Sequence, residues 1–383
     1  MTSPKIIDLT CYPTSFRVPP ENAVHLGIGR MVKRDAIVVK VTLDNGVTGW
    51  GEAHHGRSPG AVSRLIETSL KQHVINQDIH NIGGIWEKLY RAQVASHGLG
   101  AGGCLGISGI DMALWDARAK HLGIPLFQLL GGELKDVRAY AGGLSLGYQA
   151  PEALAAEAQS YKDQGYAALK LRIGKSVEDD RRAITATRTQ VGDSLDVLVD
   201  ANTAYSVSDV RAIMPTLLDN SIGWLEEPFP AYQYKEYQRI KPIAGLPIAA
   251  GENHYTRFEF LRLIEDGVVE ILQPDLSKCG GITEALRISA IASAHGLPIH
   301  PHTSITGINM AASIHFLSAI NNPGYFEADV SKNNLFRDEL VHPAPFVISE
   351  KGTTQALSGP GIGVNVNEDF LQAHPLIEGP SYI

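Results

Sequence analysis

The chain has little cysteine, no block of basic residues and no long apolar stretch, and each shortage closes off a class of protein. Only three cysteines occur, Cys11, Cys104 and Cys279, far apart and odd in number. They do not suggest a disulfide framework or a zinc site, and they read as small buried thiols. No apolar run approaches the roughly 20 residues that a membrane helix needs. The opening Met1-Thr2-Ser3-Pro4-Lys5 leads into a strand-like run without a signal-peptide core. Lysine and arginine number 33 against 41 aspartate and glutamate, a formal charge of −8. That balance argues against a nucleic-acid surface. The expectation is a cytoplasmic chain with neither a membrane nor a nucleic acid as partner. What is present is ordinary globular composition, 44% hydrophobic and 19% charged in 383 residues. This is enough for one large barrel, a smaller domain and a sizeable core.

Residues 5–17 and 35–52 read as antiparallel strands, with Asp44-Asn45-Gly46 as a hairpin turn. Two polar, glycine-containing loops flank them. One spans Val18 to Lys33 and carries His25 and Arg30; the other begins at His54-His55-Gly56-Arg57. Both have the length of lids, and His25, Arg30, His54 and His55 are candidate substrate contacts. Helical periodicity follows at Ile85–Ala95 and Ile107–Leu122, and the glycine-rich Gly98–Gly106 reads as a small-residue packing turn. From Val137 onward strands alternate with helices, the pattern of a parallel α/β fold. Strands are expected near 137–142, 167–172, 196–200, 223–226, 247–252, 270–275, 298–302 and 325–329. Eight strands in about 200 residues close a barrel more naturally than they build an open sheet.

Three of those strands end in acid. Val197-Leu198-Val199-Asp200 is apolar until its carboxylate, Trp224-Leu225-Glu226 repeats the shape, and Ile248-Ala249-Ala250-Gly251-Glu252 does so again. Neighbouring strands would bring the three acids to one mouth. Like charges so placed call for a cation between them, and an all-oxygen set suits Mg²⁺ better than Zn²⁺. Lys170 and Arg172, two apart on one strand, point to one face beside that cluster, and Asn202 follows Asp200 closely. Asp275 and His302 end adjoining strands, where a carboxylate fixes an imidazole tautomer and raises its basicity. Glu327 ends the eighth strand and could donate a hydrogen bond if protonated. His300 reads as a packed barrel residue.

With these residues in view the chain resembles the enolase superfamily, in the mandelate racemase group. The matching text is Ala113-Leu114-Trp115-Asp116 with Lys120, Leu129-Leu130-Gly131-Gly132, Asp200-Ala201-Asn202, Glu226-Glu227-Pro228, Gly251-Glu252, Gln273-Pro274-Asp275 and Pro301-His302. The resemblance implies a modified TIM barrel, (β/α)7β, over residues 131–343. An α+β capping domain over residues 1–130 would be completed by the tail 344–383. It also implies one Mg²⁺ per subunit on Asp200, Glu226 and Glu252, an Asp275–His302 acid/base dyad, Glu327 against the substrate carboxylate, and a homo-oligomer. The group's usual Lys-x-Lys is Lys170-x-Arg172 here. A guanidinium is a poor base and a good carboxylate clamp. Racemisation wants a base on each face, whereas dehydration can run on one dyad. The sequence therefore points to dehydration of a small sugar acid to a 2-keto-3-deoxy acid. A racemase, epimerase or cycloisomerase of a hydroxy acid, lactone or amino-acid derivative is the alternative, with Lys170 as the second base, and a non-catalytic metabolite-binding barrel is the reading from another class.

Overall fold

The computed structural model describes residues 3–98, 100–303 and 305–383. A three-stranded antiparallel sheet opens the chain, with Lys33–Leu43 between Ile6–Arg17 and Thr48–Ala53. The middle strand is buried on both faces, and its alternation shows why. Ile37, Val39 and Val41 enter a core shared with the helices of the N-terminal part, whereas Ala36 and Val38 enter the core shared with the barrel. Asn45 and Gly46 make the turn, Gly46 in the left-handed region at φ 84°.

The long helix Ala101–Leu122 lies against this sheet. A Cβ on Gly51 would sit 2.2 Å from the Gly109 carbonyl oxygen, so glycine there sets how closely sheet and helix approach. The expected packing turn at Gly98–Gly106 is thus mostly helix from Ala101, and Leu99 lies outside the described residues. Its glycines depress helix propensity, but close tertiary packing outweighs that preference. The expected helix at Ile85–Ala95 begins earlier, at Ile82, and continues through a π-helical turn, Tyr90–Val94, to His97. Asp116 ties the long helix to its surroundings by accepting from Trp50 N, Ile362 N and Lys120 Nζ. Asp111 accepts from Thr283.

The second part is a parallel sheet in which Val137–Gly142, Ala168–Arg172, Asp196–Asp200, Ile222–Glu226, Ile248–Ala250 and Val269–Leu272 follow one another, with Phe326–Asp329 on the far side of the first. The expected strand at 298–302 is reduced to Ile299, which bridges Leu272 on one side and Pro323 on the other and so closes the barrel. Pro298 and Pro301 have no amide hydrogen, which limits the ladder to the residues between them. Tyr140, Trp224 and Tyr325 fill the barrel interior together with His300, whose ring meets Trp224 edge-on at 5.2 Å.

The tail touches both parts. Thr353–Thr354 pairs antiparallel with the first barrel strand, Gly361 bridges Pro125, Pro375 bridges Thr14, and Tyr382 bridges Met31. All three cysteines are free and buried. No helix among the described residues is long and apolar enough to cross a membrane.

Candidate active site

In the ladder of the barrel, Arg172 lies opposite Asp200 and Asp200 opposite Glu226, so these strand ends finish in one row. Glu252 follows two residues past Ile248–Ala250. The chain leaves this row through unusual backbone: Asn202, Thr203 and Glu227 adopt φ values of 43°, 66° and 34°. Residues other than glycine seldom occupy that region, and such conformations concentrate at functional sites. Gly251, at φ 150°, brings the chain so near Gln273 that a Cβ would sit 2.6 Å from its amide nitrogen.

The acids are interleaved with cations. Lys170 Nζ lies 2.7 Å from Glu226, 3.2 Å from Glu327 and 3.5 Å from Asp200. Arg172 binds Asp200 and donates to the Gly143 carbonyl at 2.6 Å and to Asn202 Oδ1 at 3.3 Å. Burial opposes charge on both cations, but the surrounding carboxylates win and hold them above their ordinary values. Burial and then repulsion from Asp200 push Glu226 up to about 7, although Lys170 pulls against them. Glu327 behaves oppositely. Burial would raise it, but Lys170, His302 and Arg172 bring it down to about 2. It accepts from Gly143 N at 3.0 Å and Thr303 N at 3.1 Å. Glu327 would donate a hydrogen bond only if protonated, and the cations around it favour its ionised form.

Asp275 and His302 meet at 2.7 Å through Nδ1. Asp275 is itself held by Ser277 N and Oγ at 2.7 and 2.6 Å and by Asn309 Nδ2 at 3.1 Å, so the imidazole orientation is set from behind. Its other nitrogen, Nε2, lies 2.7 Å from Glu252. Burial alone would lower this histidine, but Glu252, Glu327 and Asp275 push it up to about 10. As placed here it is an imidazolium between two carboxylates.

Among the described residues no three histidine, cysteine or acidic side chains close into a ready metal cage. Asp200 is held by Arg172, Glu226 by Lys170 and Glu252 by His302. The donor set nevertheless fits magnesium. It offers oxygen only, from three successive strand ends, and the Asp200 repulsion that adds to burial in raising Glu226 is one that a divalent cation relieves.

Above the row opens a cavity of about 210 Å³ lined by Arg172, Asn202, Glu252 and His302 from the barrel and by His54, His55 and Arg57 from the second lid. Two of the expected lid contacts are not there. His25 lines a separate cavity, and Arg30 is not among the lining residues of this one. The first lid folds as a small hairpin with His25 paired to Arg30; Leu26, Ile28, Met31 and Lys33 are the residues of it that line the cavity.

His54 and His55 stack at 4.5 Å, and each Nδ1 accepts a backbone N–H, from Gly56 and Arg57 respectively, at 3.0 Å. An accepting Nδ1 leaves the ring proton on Nε2. Burial holds His55 down to about 4 and lowers His54 as well, so both rings are neutral donors.

Lys278, Glu227 and Tyr382 are among the lining residues that the sequence reading does not single out. Lys278 is 5% exposed, with Nζ 3.9 Å from Glu252, and its place three residues past Asp275 in a strand-end loop was a usable signal. Glu227, beside Glu226, is raised by burial and by Glu252. Tyr382 comes from the tail, and nothing near it in the sequence announces the position.

Comparison with known proteins agrees with this geometry. The family model described as the N-terminal domain of mandelate racemase/muconate lactonizing enzyme matches residues 12–131, and the one described as enolase C-terminal domain-like matches residues 153–370. D-galactarolactone cycloisomerase of Agrobacterium fabrum is 33% identical over 353 residues, covering 89% of this chain and 92% of its own. D-galactonate dehydratase of Xanthomonas campestris pv. campestris is 32% identical over 356 residues, covering 88% and 90%. A solved member of the enolase superfamily from Polaromonas sp. JS666 superposes with a TM-score of 0.96 at 48% identity, over 99% of this chain and 100% of that one. Members of the superfamily use Mg²⁺. A racemase from Streptomyces coelicolor A3(2), 25% identical with a TM-score of 0.87 over 97% of this chain and all 100% of its own, is solved with bound magnesium.

Proposed function

The chain belongs to the mandelate racemase/muconate lactonizing enzyme family of the enolase superfamily, and from that premise we propose that it dehydrates a sugar acid to a 2-keto-3-deoxy acid. The observation that carries the reading is the asymmetry of the site. One face has a histidine oriented by a fixed aspartate, Asp275–His302 at 2.7 Å. The other has Arg172, whose guanidinium is occupied by Asp200 and the Gly143 carbonyl. A single acid/base serves elimination, because the group that removes the proton α to the carboxylate can return it to the departing β-hydroxyl on the same face. The sugar-acid class comes from relatives named as dehydratases of this kind.

Each residue has a part. His302 faces the α-carbon once Glu252 has turned from Nε2, with Asp275 holding the tautomer. Lys170 places a buried positive charge where the substrate carboxylate gathers negative charge, and Arg172 clamps the same group. His54 and His55 offer Nε2–H donors to hydroxyls, and Asn202 lines the approach. Asp200, Glu226 and Glu252 would hold one Mg²⁺ per subunit, which when bound supplies the divalent charge that makes a dianionic enediolate accessible. We further propose that the enzyme is a homo-oligomer acting on a small carboxylate.

Proton NMR in D₂O with Mg²⁺ and a panel of sugar acids tests the reading. Loss of a β-hydroxyl with deuterium at C3 of the product, absent in His302→Asn, is expected. Exchange or inversion at the α-carbon without elimination would sink dehydration in favour of a racemase or epimerase.

A further inference from the structure

Dehydration requires one carboxylate on the substrate, but the cavity also has a cation that pairs with no carboxylate among the described residues. Its lining lysines and arginines are Lys33, Arg34, Arg57, Arg172 and Lys278. Lys33 pairs with Asp35 at 3.0 Å, Arg34 with Asp329 at 2.8 Å, Arg172 with Asp200, and Lys278 more loosely with Glu252 at 3.9 Å. Among the described residues, Arg57 is the lining cation without a carboxylate partner.

Arg57 is exposed, but its backbone is fixed. Its backbone sits at φ 58°, sparsely populated for a residue with a side chain, and its amide is fixed to His55 Nδ1 at 3.0 Å. Its guanidinium carbon lies 5.7 Å from the centroid of the Tyr382 ring, over the face. An aromatic face holds a guanidinium in a preferred plane and leaves its N–H edge free for a carboxylate. Tyr382 is itself held from the other side. Val32 N donates to Ser381 O at 2.9 Å, Arg30 N to Ile383 O at 2.8 Å, and Ile383 N returns a bond to Arg30 O at 3.0 Å. The short tail segment therefore docks on the first lid while its tyrosine backs the arginine of the second. Of the acids lining the same cavity, Glu227 and Glu252 lie at the metal end, and Asp35 has both oxygens engaged, by Ser15 and Lys33 on one and Ser381 on the other. Tyr382, with its phenol, and His55, with its ring proton on Nε2, line the same cavity. Guanidinium, phenol and imidazole N–H together are a wall of donors.

We propose that Arg57 and Tyr382 form a subsite for a second carboxylate, so that the substrate is a dicarboxylic sugar acid, an aldarate. The proposal rests on the sugar-acid reading for the middle of the ligand and on Arg57 for its far end.

The test uses six-carbon acids in matched pairs, each aldarate beside the aldonate of the same configuration. Affinities are read by calorimetry with Mg²⁺ present, in the His302→Asn background so that ligand is not consumed. Turnover is measured separately in wild type. At least one aldarate should bind about 10- to 100-fold tighter than its partner, the range for a charge-assisted pair. Arg57→Gln should remove that difference while leaving aldonate affinity unchanged, Arg57→Lys should keep part of it, and Tyr382→Ala should reduce it. Equal or tighter aldonate binding, no aldarate binding, or an Arg57→Gln loss shared by both ligands would each overturn the proposal. The two readings fail separately. Arg57-dependent aldarate binding without product would sink dehydration and keep the subsite, whereas aldonates dehydrated as well as aldarates would do the reverse.

Discussion

His300 and His302 stand two residues apart, 8% and 4% exposed, yet burial takes the first down to about 3 while its neighbours take the second up to about 10. One belongs to the barrel floor and the other to its mouth. On the floor His300 packs on Trp224 and accepts the Tyr325 amide at 3.0 Å; besides burial, Arg138 acts on its charge and also lowers it. At the mouth three carboxylates converge on His302 and reverse the effect of burial. Low exposure therefore does not set a charge state; the sign of the surrounding groups does. The floor is built for packing, and the mouth holds charge that packing alone would expel.

The sharpest way to break this contrast is at its two histidines. His302→Asn should lower kcat by roughly 10²- to 10⁴-fold, the usual worth of a positioned acid/base, as read by steady-state kinetics on the folded variant. His300→Ala should do the opposite. It leaves the Tyr325 amide without a partner and opens a cavity, costing about 2–4 kcal/mol in denaturant unfolding while folded molecules keep their kcat. If His300→Ala also abolished turnover, floor and mouth would not be separate.

Trp224 belongs to both regions, since its ring packs on the floor and its Nε1 donates to Glu226 at 3.1 Å. Trp224→Phe keeps most of the packing and removes the donor. We expect Mg²⁺ affinity to fall about 10-fold, the scale for a group that orients a ligand, as read by titrating activity or heat against the ion.

The smallest effect is expected at the joint with the cap. Glu52 and Glu327 are both fully buried, yet burial and repulsion from Asp275 push Glu52 up to about 8, whereas the cations near Glu327 bring it down to about 2. Glu52 accepts from Thr306 N at 3.1 Å. Because the folded chain keeps the Glu52 proton to about pH 8 and the unfolded chain releases it near the ordinary value of 4.5, stability from this group is present below 4.5 and declines as pH rises between the two values. Glu52→Gln should flatten that decline in unfolding temperature. An unchanged slope would show that Glu52 is ionised in the folded chain.

The architecture was legible because its signals are local. A buried parallel strand is apolar until it meets solvent or a site, so Asp200 and Glu226 marked the mouth, and the period of two put Lys170 and Arg172 on one face. Strand limits were less legible where proline removed ladder donors, as at Ile299, and helix start was misread where glycine served packing rather than turning, as at Gly103 and Gly106.

What the sequence determined by itself was the order of elements and the residues delivered to the barrel mouth, because strand period and strand-end chemistry depend on neighbours along the chain. Only the tertiary structure decided the contact of His302 with Glu252, the ionisation of Glu327, the absence of His25 and Arg30 from the cavity, and the arrival of Tyr382 beside Arg57. A charge state sums over every group within a few ångströms, and a tail reaches its place through contacts some 350 residues away in sequence, such as Tyr382 with Met31. Neither quantity is written in any short window of the chain.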